Sequence, residues 1–406
     1  MIFLSNIGSD IADAVTGTLG SWGMWSAITA TITVIMLGFF LAVKGIFTKE
    51  WEKVLVKVVM VVGLPALALN GFLSDATSAQ LIEQMTVLLT GFAFYTIMMF
   101  TSKYFFFKYE KDLQDTFAMC IALASTTFFG IPIVTAIYQN AAIPANIFNI
   151  PYRIFLYSMA FMIMSKKPMI ATKDGVVTNK KETKPILSEV EIIEKKKIRK
   201  QTLKNIFLNP ILIATIIGFT IWVTQLIPGI DLFTRQETVM RELVDGMFVQ
   251  ETVEKRYSIF RIDIIFPPSA TILSTLQAIC TPLAWLAIGM TMAKGNLKEA
   301  FKDKKLWYAA SIKVLVAPII ILILICGVAW LGYGTSWFTF SKVGMAAMVI
   351  MTAAPPANVV VAYAISYEKG ARDASNLTTL STLLSVVTLP IWVIIVTAVG
   401  ALPLFS

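Results

Sequence analysis

The chain has 406 residues, 57% of them hydrophobic and 15% charged, with mean hydropathy +0.74, which excludes an ordinary soluble domain and marks a polytopic membrane protein. A net charge of +9 would suit a nucleic-acid partner in a soluble chain, but here the basic residues fall in loops between apolar spans, and no nucleic-acid partner is expected. Histidine is absent, which removes haem axial histidines, most zinc sites and every Ser-His or Cys-His nucleophile, so no enzyme is expected.

Residues 1–22 carry Asp10 and Asp13 and no basic residue, unlike the charged start of a signal peptide, which places the N-terminus outside. A first span is predicted over about 23–47, a second over 54–73 with a break or bend at Pro65, and a third over 81–104. The fourth runs over 116–138 through Gly130-Ile131-Pro132, and the fifth over 144–164. Residues 166–204 then hold twelve Lys or Arg against five acids and read as a cytoplasmic connector, with contact to membrane lipid headgroups as the alternative. A sixth span covers 206–227, with Asn209-Pro210 in its first turn. Within 231–263, Val239, Leu243, Val244, Met247 and Phe248 recur at helical spacing. They predict a short amphipathic helix outside the membrane, in a surface insertion or, alternatively, a lid. The remaining spans are 268–293, 306–331, 343–364 and 377–399. Cys120, Cys280 and Cys326 all lie in apolar segments and imply no disulfide.

Ten spans with both termini outside put 26 of the 34 basic residues on one side, as the positive-inside rule requires. The expected fold is all-α, with a first five-helix repeat in 1–165, the basic loop in 166–204, and a second, inverted repeat in 205–406. Two landmarks correspond between the halves. Leu64-Pro65-Ala66 resembles Thr281-Pro282-Leu283, and Gly130-Ile131-Pro132 answers Ala354-Pro355-Pro356. Adjacent prolines remove two backbone donors and cannot sit in a continuous helix. Matched interruptions in inverted halves point to a transporter binding site, with helices 4 and 9 broken at their prolines and crossed.

The runs 352–361, containing Pro355-Pro356-Ala357-Asn358, and 380–390, containing Leu380-Ser381-Thr382, resemble the last two spans of the auxin efflux carrier family, which includes bacterial malate and malonate permeases. Phe129-Gly130-Ile131-Pro132-Ile133, Asn209-Pro210 and Ile288-Gly289-Met290 also resemble the family pattern. The resemblance implies a scaffold part and a transport part, an elevator-like shift, and a homodimer. Two departures stand out: Ser125-Thr126-Thr127 replaces the asparagine that often precedes the first crossover, and the outer insertion is not typical of the family.

Arg153 lies near the middle of the fifth span, where an arginine costs about 2.5–3.5 kcal/mol on insertion scales. No acid lies deep in any predicted span, so it is read as a contact for an anionic substrate; the alternatives are bonding to helix-end carbonyls and a misplaced span. The half-helices that restart after Pro132, Pro355 and Pro356 offer free N–H groups to an anion, near Ala357 and Asn358. Ser125, Thr126, Thr127 and Thr352 offer hydroxyls, and Ser381 completes the candidate set. Carbonyl ends of the preceding half-helices could hold Na+; coupling to Na+ or H+, or uniport, stays open, and no resident cofactor is expected. Lys57 and Lys313 are read as snorkelling to the interface, and Tyr104-Phe105-Phe106-Phe107 as interface anchors. The expected function is a secondary transporter for a small organic carboxylate, a dicarboxylate such as malate or malonate, in a bacterial plasma membrane. An auxin-like monocarboxylate carrier and a non-transporting sensor or channel are the alternatives.

Overall fold

A computed structural model describes residues 22–165, 208–230, 233–242, 248–293 and 297–405, together with 12–13, 16–17 and 20. Seven of its helices are long and apolar enough to cross a membrane. They are α1 (Trp22–Val43), α2 (Glu50–Phe72), α3 (Ser78–Phe106), α6 (Ala142–Met164), α8 (Pro268–Met292), α9 (Lys304–Thr335) and α12 (Ala371–Gly400). Three shorter apolar helices are α5 (Thr126–Ile137), α7 (Pro210–Thr224) and α10 (Lys342–Thr352). Between them, α4 (Lys111–Ala122) leads into α5, and α11 (Asn358–Ser366) follows α10. α5 and α10 are short because each is one arm of an interrupted segment. Helix starts follow capping chemistry: Thr77 and Gln80 form a capping box at α3, and the Asn209 side chain accepts the Ile211 N–H at the start of α7, where Pro210 takes the first position.

Most intrahelical prolines are carried rather than used as breaks. A π-turn ends two residues before each of Pro65 (Val59–Gly63), Pro132 (Thr126–Gly130) and Pro318 (Ile312–Val316). Proline lacks the N–H and clashes with the carbonyl four residues back, and the wider turn takes up that strain. Near Pro318 the carbonyl so released, that of Val314, accepts the indole N–H of Trp392 at 2.9 Å. The expectation of a break at Gly130-Ile131-Pro132 is therefore corrected. The chain runs helically from Thr126 to Ile137, and the interruption lies upstream, at 123–125.

The kinked helices α2 and α8 meet at their kinks: a Cβ added to Gly63 would lie 2.9 Å from the Cβ of Cys280. α1 and α8 approach more closely still. A Cβ at Gly289 would lie 2.0 Å from the Ile35 carbonyl oxygen, and one at Gly38 would lie 2.2 Å from that of Leu286. Small residues let helix backbones touch in this way where lipid supplies no hydrophobic drive for association.

The insertion is also corrected. Residues Phe233–Glu242 (β1) and Phe248–Tyr257 (β2) pair antiparallel, Phe233 opposite Tyr257 and Glu242 opposite Phe248, where an amphipathic helix was expected. Leu243, Val244 and Met247 lie outside the described residues. Thr238, Val239, Val249, Thr252 and Val253 supply the β-branched content that favours strands over the weak helical periodicity. The hairpin is tied to the α2–α3 loop, since Asp75 accepts from Lys255 and, at 3.0 Å, from Arg261.

Candidate functional site

The two interrupted segments meet backbone to backbone. Ala124 bridges Pro356 antiparallel, the Ser125 N–H donates to the Pro355 carbonyl at 2.7 Å, and the Ala357 N–H donates to the Leu123 carbonyl at 2.9 Å. An unpaired peptide group inside a membrane protein costs several kcal/mol, so two chains leaving helix at the same depth satisfy each other. A Cβ at Gly130 would lie 3.0 Å from Met351 Cγ, so glycine lets α5 close against the arm of α10. All of 351–357 is buried, and Asn358 is the first exposed residue beyond the crossing.

Lys313 completes the crossing from a third element. Its side chain is fully buried, and Nζ donates to the carbonyls of Ile121 at 3.1 Å and Thr352 at 3.3 Å. These carbonyls terminate α4 and α10, the negative ends of two half-helix dipoles, where a cation is favoured. The expectation that Lys313 snorkels to the interface is thus overturned. Packing of α9 beside the crossing turns the side chain inward, and the carbonyl pair supplies what bulk water would have supplied.

Beside the crossing lies a cavity of about 120 Å³ lined by Ser125, Thr127, Phe128, Arg153, Tyr157 and Asn358, together with Val56 and Met60 of α2. Arg153 is 4% exposed. Among the described residues no carboxylate pairs with it, and its single hydrogen bond, from Nη2 to Thr127 Oγ1, is long at 3.4 Å. A guanidinium has five N–H donors, so most of its capacity faces the cavity. Asn149, one turn before Arg153 on the same helix face, braces Thr126 and Thr127. Thr126 Oγ1 donates to Asn149 Oδ1 at 2.7 Å, and Asn149 Nδ2 donates to Thr127 Oγ1 at 2.9 Å.

Of the predicted residues, Arg153, Ser125, Thr127 and Asn358 share this cavity. Pro355 and Pro356 line an adjoining space of about 20 Å³ with Ser125, Asn358, Thr378 and Thr382. Thr126 points away to Asn149, and Thr352 turns its hydroxyl back to Met348. Pro132, Ala357 and Ser381 are buried and line neither space; the Ser381 hydroxyl has no hydrogen-bond partner. Asn149 and Lys313 are the functional candidates that spacing alone missed. An Asn four residues before an intramembrane Arg, and a Lys five residues before a span proline, were the available signals.

A family model described as membrane transport protein matches residues 24–393, which takes in the crossing, Arg153 and Lys313. The chain belongs to the membrane transport protein family. This is the family that the motifs around Pro132 and Pro355-Pro356 resemble, and it makes the chain a multi-pass membrane protein of a transport family. No curated protein matches the chain. Among the described residues of this membrane transport protein no cluster of His, Cys, Asp or Glu could hold a metal ion.

Proposed function

We propose that this membrane transport protein is a secondary transporter for a small organic carboxylate, and that its substrate is a dicarboxylate such as malate or malonate. The observation that carries the reading is Arg153: buried, without a carboxylate partner among the described residues, and facing a cavity that also holds Asn358 and the Thr127 hydroxyl. A guanidinium fork matches a carboxylate bidentately, and the N-terminus of α11, which opens at Asn358, favours an anion. At about 120 Å³ the cavity lies below the ~300 Å³ at which pockets for drug-sized ligands begin, which favours a compact dianion. The Phe128 and Tyr157 rings in its wall are what an aromatic monocarboxylate of the auxin type would use.

In this reading ten spans form two inverted repeats, and the part carrying the crossing moves against the scaffold in an elevator-like shift. The protein works as a homodimer in a bacterial plasma membrane, with both termini outside. Lys313 takes the half-helix carbonyls that a sodium ion would otherwise coordinate, which supports anion movement without a sodium requirement. Binding tests the site. Arg153→Lys keeps the charge but loses the fork, and is expected to weaken malonate binding about 10- to 100-fold. Asn358→Ala is expected to weaken it less. Unchanged affinity in both variants would remove the anion site.

A further inference from the structure

Polar groups reach the Arg153 cavity from α5, α6 and α11, through Thr127, Arg153 and Asn358, whereas α2 contributes only the apolar side chains of Val56 and Met60. α2 packs on the start of α6, where a Cβ at Gly71 would lie 2.8 Å from the Ala142 Cβ. Farther along, the Val56–Met60 turn of α2 and the Arg153–Tyr157 turn of α6 line one cavity instead of packing together.

Three wide turns meet at this cavity. Met60 belongs to the π-turn Val59–Gly63, Thr127 and Phe128 to Thr126–Gly130, and Tyr157 to a further π-turn, Leu156–Ala160. A π-turn adds one residue to a helical turn and so changes which side chains share a face, and such turns recur at functional sites. In α2 the turn absorbs Pro65, and it brings a methionine to the cavity. Methionine is unbranched and fills irregular space, and Met60 is only partly buried, so its chain takes up room that a ligand could use.

We propose that Met60 sets the length of the dicarboxylate that the Arg153 cavity accepts, admitting malonate and malate and excluding glutarate. This rests on the carboxylate reading of that cavity. One carboxylate is held by the Arg153 fork and the other lies toward the start of α11, so each methylene inserted between them needs room in the apolar part of the lining. A methylene in excess of what a hydrophobic pocket admits costs about 10- to 200-fold. Met60→Ala removes the atoms beyond Cβ and leaves Arg153, Thr127 and Asn358 in place.

Calorimetric titration of the full-length protein in detergent with malonate, succinate and glutarate tests this, using wild type, Met60→Ala and Met60→Val. The wild type is expected to bind glutarate at least about tenfold more weakly than malonate. Met60→Ala is expected to raise the ratio of glutarate to malonate affinity at least about tenfold, with succinate between the two, and Met60→Val to raise it less. Met60→Val keeps a branched apolar side chain at the position and decides the matter should Met60→Ala fail to fold. Equal binding of glutarate and malonate by the wild type, or an unchanged ratio in a folded variant that still binds malonate, overturns the role of Met60 and leaves the carboxylate site standing. Absence of malonate binding to the wild type overturns the carboxylate reading itself, and the role of Met60 with it.

Discussion

The Ser125 N–H reaches the Pro355 carbonyl across 2.7 Å, joining one interrupted helix to the other through the backbone alone. Proline forces the break in the second segment, and that break supplies the carbonyl that holds the first segment open. The crossing is a mutual arrangement: neither half satisfies its peptide groups without the other, and the cavity beside it inherits that rigidity.

Lys313 is predicted to stabilise the crossing measurably. Lys313→Met preserves length and apolar packing but leaves the Ile121 and Thr352 carbonyls without their shared donor, at a cost of about 1–3 kcal/mol. Thermal unfolding in detergent is expected to fall by several degrees, and Lys313→Arg to fall less. A variant as stable as the wild type would mean that the ammonium contributes nothing to holding the two helix ends.

The α1–α8 contact is predicted to tolerate no side chain at its closest point. A Cβ at Gly289 would stand 2.0 Å from a backbone oxygen, so Gly289→Val has to part the helices, costing at least about 1–3 kcal/mol. Loss of monodisperse protein on size exclusion is the expected result. Gly327→Ala, where nothing lies within 4 Å, serves as the control and should purify normally.

Anchorage of the hairpin should depend on pH through Asp75. Burial pushes this carboxyl up, but the hydrogen bonds and charges of Lys255 and Arg261 outweigh it and hold the group below its usual value. A carboxylate depressed in the folded state contributes stability that is fully present above its unfolded pKa, about 3.9, and is lost as pH falls through the folded value. Hydrogen exchange of β2, corrected for intrinsic rates, should stay constant from about pH 7 to 5 and rise below about pH 4. Asp75→Asn should give the faster exchange already at neutral pH; equal exchange in the variant would show that Asp75 does not hold the hairpin.

Much of this architecture is legible in the residues, and the parts that are not share one cause. Pro355-Pro356 breaks a helix whatever surrounds it, and Arg153 demands a partner wherever it lies in a span, so both can be read locally. The opposing break at 123–125 contains no proline; Ser125 leaves the helix because Pro355 is there to receive its N–H, a fact of tertiary structure. Pro132 misled because a π-turn absorbs it. Lys313 misled because its distance from the span end says nothing about which face of α9 meets the crossing. In the insertion, three- and four-residue spacing competed with β-branched residues, and strand pairing won.

The central claim, that Arg153 binds the transported anion, is tested most directly by counterflow of labelled malonate in proteoliposomes loaded with unlabelled malonate. The wild type should show transient accumulation of label, in sodium and in choline media alike, while Arg153→Lys, equally folded and inserted, should lose at least about 90% of that exchange. Undiminished counterflow in the variant would contradict the assignment of Arg153.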